Sequence, residues 1–290
     1  MVITNATFKM TSSLLHNIFI GLLFAFLFSS ISIAEDNEAI YWKAGVAKAV
    51  ITPEKPVWLA GYGWKREPTG VIHDIWVKAL ALEDNKGYRS VIVTSDLMGI
   101  PKYMYENIYR KVNKRLHLER SQFMLTFSHN HSAPRLNENL VDYYPVDSAQ
   151  VKIVKEYSDE VEVKIFETVL KAFSNLAPAK LAYSKGEIDF AVNRRNNPES
   201  DVPKLLETGT PLKGPVDHSV PVMTVQNSEN KLIAVLFGYA CHPTVLRFNE
   251  YCGDYPGFAQ IALEKNHPGI TAMFFTGAGG ALPRKKVYDS

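Results

Sequence analysis

Two short histidine motifs carry the strongest chemical signal in this chain. The first is Ser128-His129-Asn130-His131-Ser132-Ala133-Pro134, and the second is Ala240-Cys241-His242-Pro243-Thr244. In an extended chain, side chains two apart share a face, so His129 and His131 can address one ion. Alternatively, one ligates while the other meets a substrate. Neutral imidazole suits Zn²⁺, and a hydrolytic zinc site keeps one position open for water. Two surface histidines in a loop are the bland reading of the same pair. Pro243 restricts His242 to an extended conformation and stiffens the chain as it leaves a strand. Further on, Asp254 stands in Gly253-Asp254-Tyr255-Pro256-Gly257, where it can orient an imidazole or cap a helix.

Weaker signals surround these two. Gly70-Val71-Ile72-His73-Asp74 puts an imidazole and a carboxylate side by side, although a turn before a strand explains the pair equally well. Asn193-Arg194-Arg195 is a doubly basic loop able to hold a carboxylate or phosphate bidentately, and solvated surface is its bland reading. The Gly277-Ala278-Gly279-Gly280 loop lacks the Gly-Lys-Ser/Thr and the helix of a phosphate-binding turn, which argues against a nucleotide site. Cys241 and Cys252 are the only cysteines; they form either a disulfide or two buried thiols.

The elements that must position these groups read as alternating strands and helices. Residues 44–51, 75–82 and 90–95 read as strands, the last a β-branched run ending at Asp96 and buried on both faces. Pro101 opens a helix with Met104, Ile108, Val112 and Leu116 on one stripe. Residues 123–128 form a strand that runs directly into His129. Asp147 and Ser148 cap a long helix with the stripe Val154, Tyr157, Val161, Ile165. Residues 220–225 and 232–239 flank a polar turn as a hairpin, Pro256 starts a helix, and 270–276 is a last strand. The expected class is α/β: a layered domain with a mixed β-sheet flanked by helices, incomplete at the C-terminus. Its chemistry belongs at strand ends.

The chain has 290 residues, 46% hydrophobic and 21% charged, with a formal net charge of +2. That composition is globular, and the absence of a dense Lys/Arg stripe argues against a nucleic-acid partner. Residues 18–28 are apolar throughout and are followed by small, polar residues with Ser32 and Ala34 at the positions a signal peptidase reads. A run of about 11 apolar residues is too short to span a bilayer comfortably. Residues 1–34 are therefore expected to be a signal peptide. The mature domain, 35–290, then has no stable transmembrane span and is secreted or periplasmic.

Taken in order, several segments resemble the neutral/alkaline non-lysosomal ceramidase family. They are residues 45–53 (GVAKAVITP), Gly61-Tyr62, His73-Asp74, Ser95-Asp96, the motif from His129 to Pro134, Asn193-Arg194-Arg195, Cys241-His242-Pro243-Thr244 and Asp254-Tyr255-Pro256-Gly257. They cover nearly the whole chain after the leader, and the ordered set is more specific than any one member. The resemblance implies that His129 and His242 ligate Zn²⁺, and that His131 is catalytic, touching the substrate or the zinc-bound water. It places His73, Asp74, Asp96, Arg195 and Asp254 around the ligands or against the substrate. The implied reaction is hydrolysis of the amide of an N-acyl sphingoid base (ceramide) to fatty acid and sphingosine. Zinc would polarise the carbonyl and bring the pKa of water toward ~7. The implied partner is a lipid or other small amide.

Two departures from the family pattern bear on activity. The family's remaining zinc ligands, a Glu and a Tyr, would fall beyond Ser290, so the chain reads as the truncated front portion of such a hydrolase. Gly279-Gly280-Ala281-Leu282-Pro283 stands where the family carries Gly-Asp-Val-Ser-Pro, which puts Leu282 at the serine position; a short deletion in the loop explains the mismatch equally well. The competing expectations are a non-catalytic lipid- or glycan-binding relative, or a zinc hydrolase of another amide or ester.

Overall fold

A computed structural model describes residues 42–283 except Val146; the expected leader, 1–34, lies outside the described residues. Eight strands form one sheet in the order β11-β9-β8-β6-β1-β3-β4-β5. They are β1 (Trp42–Val50), β3 (Trp76–Glu83), β4 (Arg89–Ser95), β5 (Phe123–Leu125), β6 (Ala177–Glu187), β8 (Ser219–Asn227), β9 (Leu232–Tyr239) and β11 (Thr271–Thr276). The β4–β5 and β9–β11 pairs are parallel and the other pairings antiparallel, so the sheet is mixed as expected. Two-residue strands pair separately: β2 (Gly70–Val71) with β10 (Glu250–Tyr251), and β7 (Ala191–Val192) with β12 (Leu282–Pro283).

One face of the sheet is covered by α1 (Lys102–Leu116) and α2 (Ser148–Ser174). Met104, Ile108 and Val112 of α1 and Val161, Ile165 and Val169 of α2 meet Val77, Ala79, Val91 and Val93 in one buried cluster. Each larger side chain there contributes about 1.5–3 kcal/mol by leaving water. Asp147 caps α2, its carboxylate accepting the Gln150 N–H at 2.9 Å. A short helix, α3 (Val202–Glu207), lies in the loop before β8. Among the described residues no helix is long and apolar enough to cross a membrane.

On the opposite face of β3, alternation turns Lys78 away from the Val77 cluster and toward α4 (Asp254–Asn266). Lys78 is buried, and its ammonium donates to Gln260 Oε1 and Glu264 Oε1 at 3.0 Å each and to the Ala272 carbonyl at 2.7 Å. Ala272 belongs to β11. That strand touches β4 and β1 although five strands separate β11 from β4 in the sheet order. The sheet is therefore curled, and α4 packs on β11 where Lys78 reaches it from β3. The carboxyl ends of β4 and β5 meet those of β9 and β11.

Three expectations are corrected. β5 ends at Leu125, not Ser128: residues 126–128 still follow β4, with Thr126 N–H on Val93 O and Ser128 N–H on Ser95 O, but lie outside the strand. β6 has no counterpart in the sequence reading; its segment (APAKLAYSKGE) is mostly exposed, and its alternation is confined to Ala179, Leu181 and Tyr183. α4 begins at Asp254, two residues before Pro256, which sits in its first turn. Replacing Lys78 by methionine removes the donor to the buried Gln260 Oε1 and to the Ala272 carbonyl and leaves Glu264 with Lys48 as its one cation. Lys78→Met is expected to lower unfolding free energy by on the order of 3 kcal/mol, read as a fall in the urea midpoint.

Candidate metal centre

The curl brings three imidazoles together. His129 follows β5, and His242 follows β9 through Ala240 and Cys241. Ring centroids lie 4.6 Å apart for His129–His242, 5.3 Å for His129–His131 and 4.9 Å for His131–His242. One ligand atom from each falls within 4.8 Å of the other two.

Backbone carbonyls decide what these rings present. His129 Nδ1 lies 2.7 Å from the Met98 carbonyl, and His242 Nδ1 lies 2.9 Å from the Gly279 carbonyl. A carbonyl can only accept, so each Nδ1 carries the proton and each neutral ring turns an Nε2 lone pair outward. His131 Nε2 stands 3.1 Å from His242 Nε2. With the His242 proton on Nδ1, His131 supplies the N–H of that contact. Each of the three rings offers a nitrogen toward the others, and together they could hold a metal ion. Imidazole donors of this kind suit a transition-metal cation.

His129 has φ 63°, in the left-handed region, so the His129–His131 segment is a tight turn and not the expected extended run. Its N–H bonds Leu97 O at 3.0 Å, which offsets a backbone conformation worth on the order of 1–3 kcal/mol of strain. Asn130 is fully buried: its side chain donates to the carbonyls of Asp96 and Cys252 and accepts the Ser132 N–H at 2.8 Å. Gly61, at φ 97°, lies against the His131 ring, where any Cβ would collide with Cγ and Nδ1. Tyr62 meets the same ring edge-on at 4.9 Å.

The other expected site residues are distributed as follows. Asp254 is fully buried, and its carboxylate accepts N–H groups of Val245 (3.2 Å), Leu246 (2.8 Å) and Tyr255 (2.7 Å). It fixes the loop that follows His242, at the expense of a left-handed φ of 50°. His73 packs edge-on to Phe258 at 5.0 Å and accepts the Gly253 N–H at 3.3 Å. It buttresses the turn carrying Asp254. Asp74 accepts from the Thr52 hydroxyl at 2.9 Å, which ties it to the 52–53 turn. Asp96 is buried beside the Lys78 cluster, accepting from Trp76 N–H at 2.9 Å and Gln260 at 3.2 Å. Burial pushes its carboxyl pKa up, while Lys78 pulls the other way. Arg195, with Arg194, lines a cavity of about 650 Å³ that also touches Ala240 and Ala281, the residues bracketing the His242 backbone.

Sequence reasoning missed Lys78, Arg66 and the Met98 and Gly279 carbonyls. A lysine inside the apolar alternation of β3 was a usable signal. The carbonyls leave none, because every residue has one. The Gly277–Gly280 loop, excluded as a nucleotide site, enters the centre through its backbone.

Residues 42–277 match the neutral/alkaline non-lysosomal ceramidase N-terminal region, and the chain belongs to that family. No curated protein matches by sequence. Among solved structures, the fold is similar to neutral ceramidase from Pseudomonas aeruginosa (20% identity, TM-score 0.67) and to a ceramidase complexed with C2 (21%, 0.67). Each match covers 84% of this chain but 40% and 39% of the respective structures. The chain thus spans about two-fifths of their length.

Cys241 and Cys252 are separate buried thiols, pushed by burial to pKa values of about 12 and about 11. At pH 8 neither is expected to react with a disulfide thiol reagent until urea unfolds the chain. Rapid labelling of native protein would show that the thiols are accessible.

Proposed function

We propose that this chain carries two zinc ligands, His129 and His242, and a proton-donating residue, His131, of a secreted hydrolase that cleaves the amide of an N-acyl sphingoid base. The observation that carries the reading is the pair of carbonyl-held Nδ1 atoms, which leaves two Nε2 lone pairs facing a third ring 3.1 Å from one of them. Family membership supports the substrate class, a lipid amide. Zn²⁺, when bound, supplies Lewis acidity toward the amide carbonyl and acidifies water.

The remaining work falls to the chain's own groups. His131 offers its Nε2–H to the carbonyl oxygen as negative charge grows there, a donor worth most where water is scarce. Gly61 and Tyr62 cover the other side of its ring and restrict solvent. Arg194 and Arg195, in the wall of the neighbouring cavity, suit the carboxylate released by the reaction. His73, Asp96 and Asp254 hold the loops that carry the imidazoles. Export rests on the apolar leader, and an exported chain beginning near Glu35 is its expected product.

A second reading, a binding protein without turnover, is favoured by Leu282. That side chain lies in β12 opposite Val192 and offers no hydrogen bond.

The test uses protein expressed from the complete gene. His129→Ala and His242→Ala are expected to lose bound zinc. His131→Gln is expected to keep it while amide turnover falls about 100-fold or more. Unchanged zinc in both alanine variants rejects the ligand assignment. Intact zinc with no hydrolysis of N-acyl sphingosine by the unaltered protein favours the second reading.

A further inference from the structure

We infer that Arg66 is the positioning residue that sets the separation of the two histidine loops; the consequence for a cation rests on the zinc reading above, whereas the geometry does not. Arg66 is 5% exposed. Its Nη1–H donates to the His131 carbonyl at 2.8 Å, its Nη2–H to the Phe248 carbonyl, and its Nε–H to Asn249 Oδ1 at 3.2 Å. Its guanidinium also lies 4.8 Å from the Tyr62 ring, the ring that meets His131 edge-on. Two segments distant in sequence, at His131 and at residues 248–249, converge on one planar group.

All three of these acceptors are neutral. A buried cation without a carboxylate is expensive compared with an apolar side chain of similar volume, so stability alone does not account for an arginine here. The guanidinium instead offers donors in a rigid fork, so the spacing of its acceptors is prescribed by covalent geometry. That spacing runs between the backbone of His131 and the loop that begins at His242. Asp254 holds the same loop from its other side through Val245 and Leu246. The 3.1 Å approach of His131 to His242 is the short end of this frame. Lysine, with a single point of donation, cannot reproduce the fork.

The test compares Arg66→Ala and Arg66→Lys with the unaltered protein, all from the complete gene, by hydrogen-exchange mass spectrometry and by Co²⁺ titration. Arg66→Ala is expected to accelerate exchange in residues 128–133 and 245–250 together while α2 is unchanged. Its Co²⁺ dissociation constant should rise about tenfold with an altered visible spectrum. Free guanidinium should restore both readings in the alanine variant. If that variant does not fold, Arg66→Lys carries the same readings, with both segments loosened and no rescue. Loosening of one segment alone, or an unaltered Co²⁺ spectrum and affinity in a folded variant, overturns the inference. An unaltered protein that takes up no Co²⁺ rejects the zinc reading instead, and the exchange measurement still decides the role of Arg66.

Discussion

The buried ammonium of Lys78 is the contact on which the arrangement of this domain depends. It reaches from β3 to a carbonyl of β11 and to two side chains of α4, joining strands that the sheet order keeps far apart. Desolvation lowers its pKa, and the nearby Asp96 and Glu264 carboxylates oppose that shift. A charge placed there tolerates few alternative geometries, since each of its three protons needs an acceptor. Glu264 extends the tie by accepting also from Lys48 and from the Ala272 N–H. With β11 and α4 tied to β3, the loops that follow β5 and β9 face one another.

The same logic operates at smaller scale among the histidines. The protein controls these rings through main-chain oxygens, and it controls the main chain through a few buried side chains: Asn130, Arg66, Asp254 and the His73 ring under Gly253. Left-handed backbone at His129 and Asp254 is the local expense of aiming an imidazole and a carboxylate where regular structure does not point them. These supports are polar and internally satisfied by backbone partners, so the centre is stiff although it is built from loops.

The parts of this organisation that follow a repeating rule were readable from sequence. α1 and α2 announce themselves by the spacing of Met104, Ile108 and Val112 and of Val154, Val161 and Ile165, because a helix must bury one stripe. β3, β4, β9 and β11 are apolar runs with turn residues at their ends. β6 escaped because it is mostly exposed and its short alternation, Ala179, Leu181 and Tyr183, stands among Pro, Lys and Ser residues. His129, His131 and His242 stood out by residue type and by their places after strands, and the left-handed backbone at His129, which no local pattern announces, replaces the extended run that would have put His129 and His131 on one face. Arg66 and Lys78 were invisible as partners, since a bond between residues 66 and 248 or 78 and 272 leaves no trace in local pattern. His73 and Asp74 are adjacent in sequence yet serve different turns, a distinction that only tertiary contacts make.

The curl also orders events in time. His131 and His242 are 111 positions apart, and the Gly279 carbonyl that holds His242 Nδ1 comes only after β11. Contacts of such separation are bought late, after chain entropy has been surrendered over the intervening loops. Helices and hairpins therefore assemble first, and the imidazole cluster is the signature of completion. A nascent chain still missing β11 would lack the Gly279 carbonyl that holds His242 Nδ1.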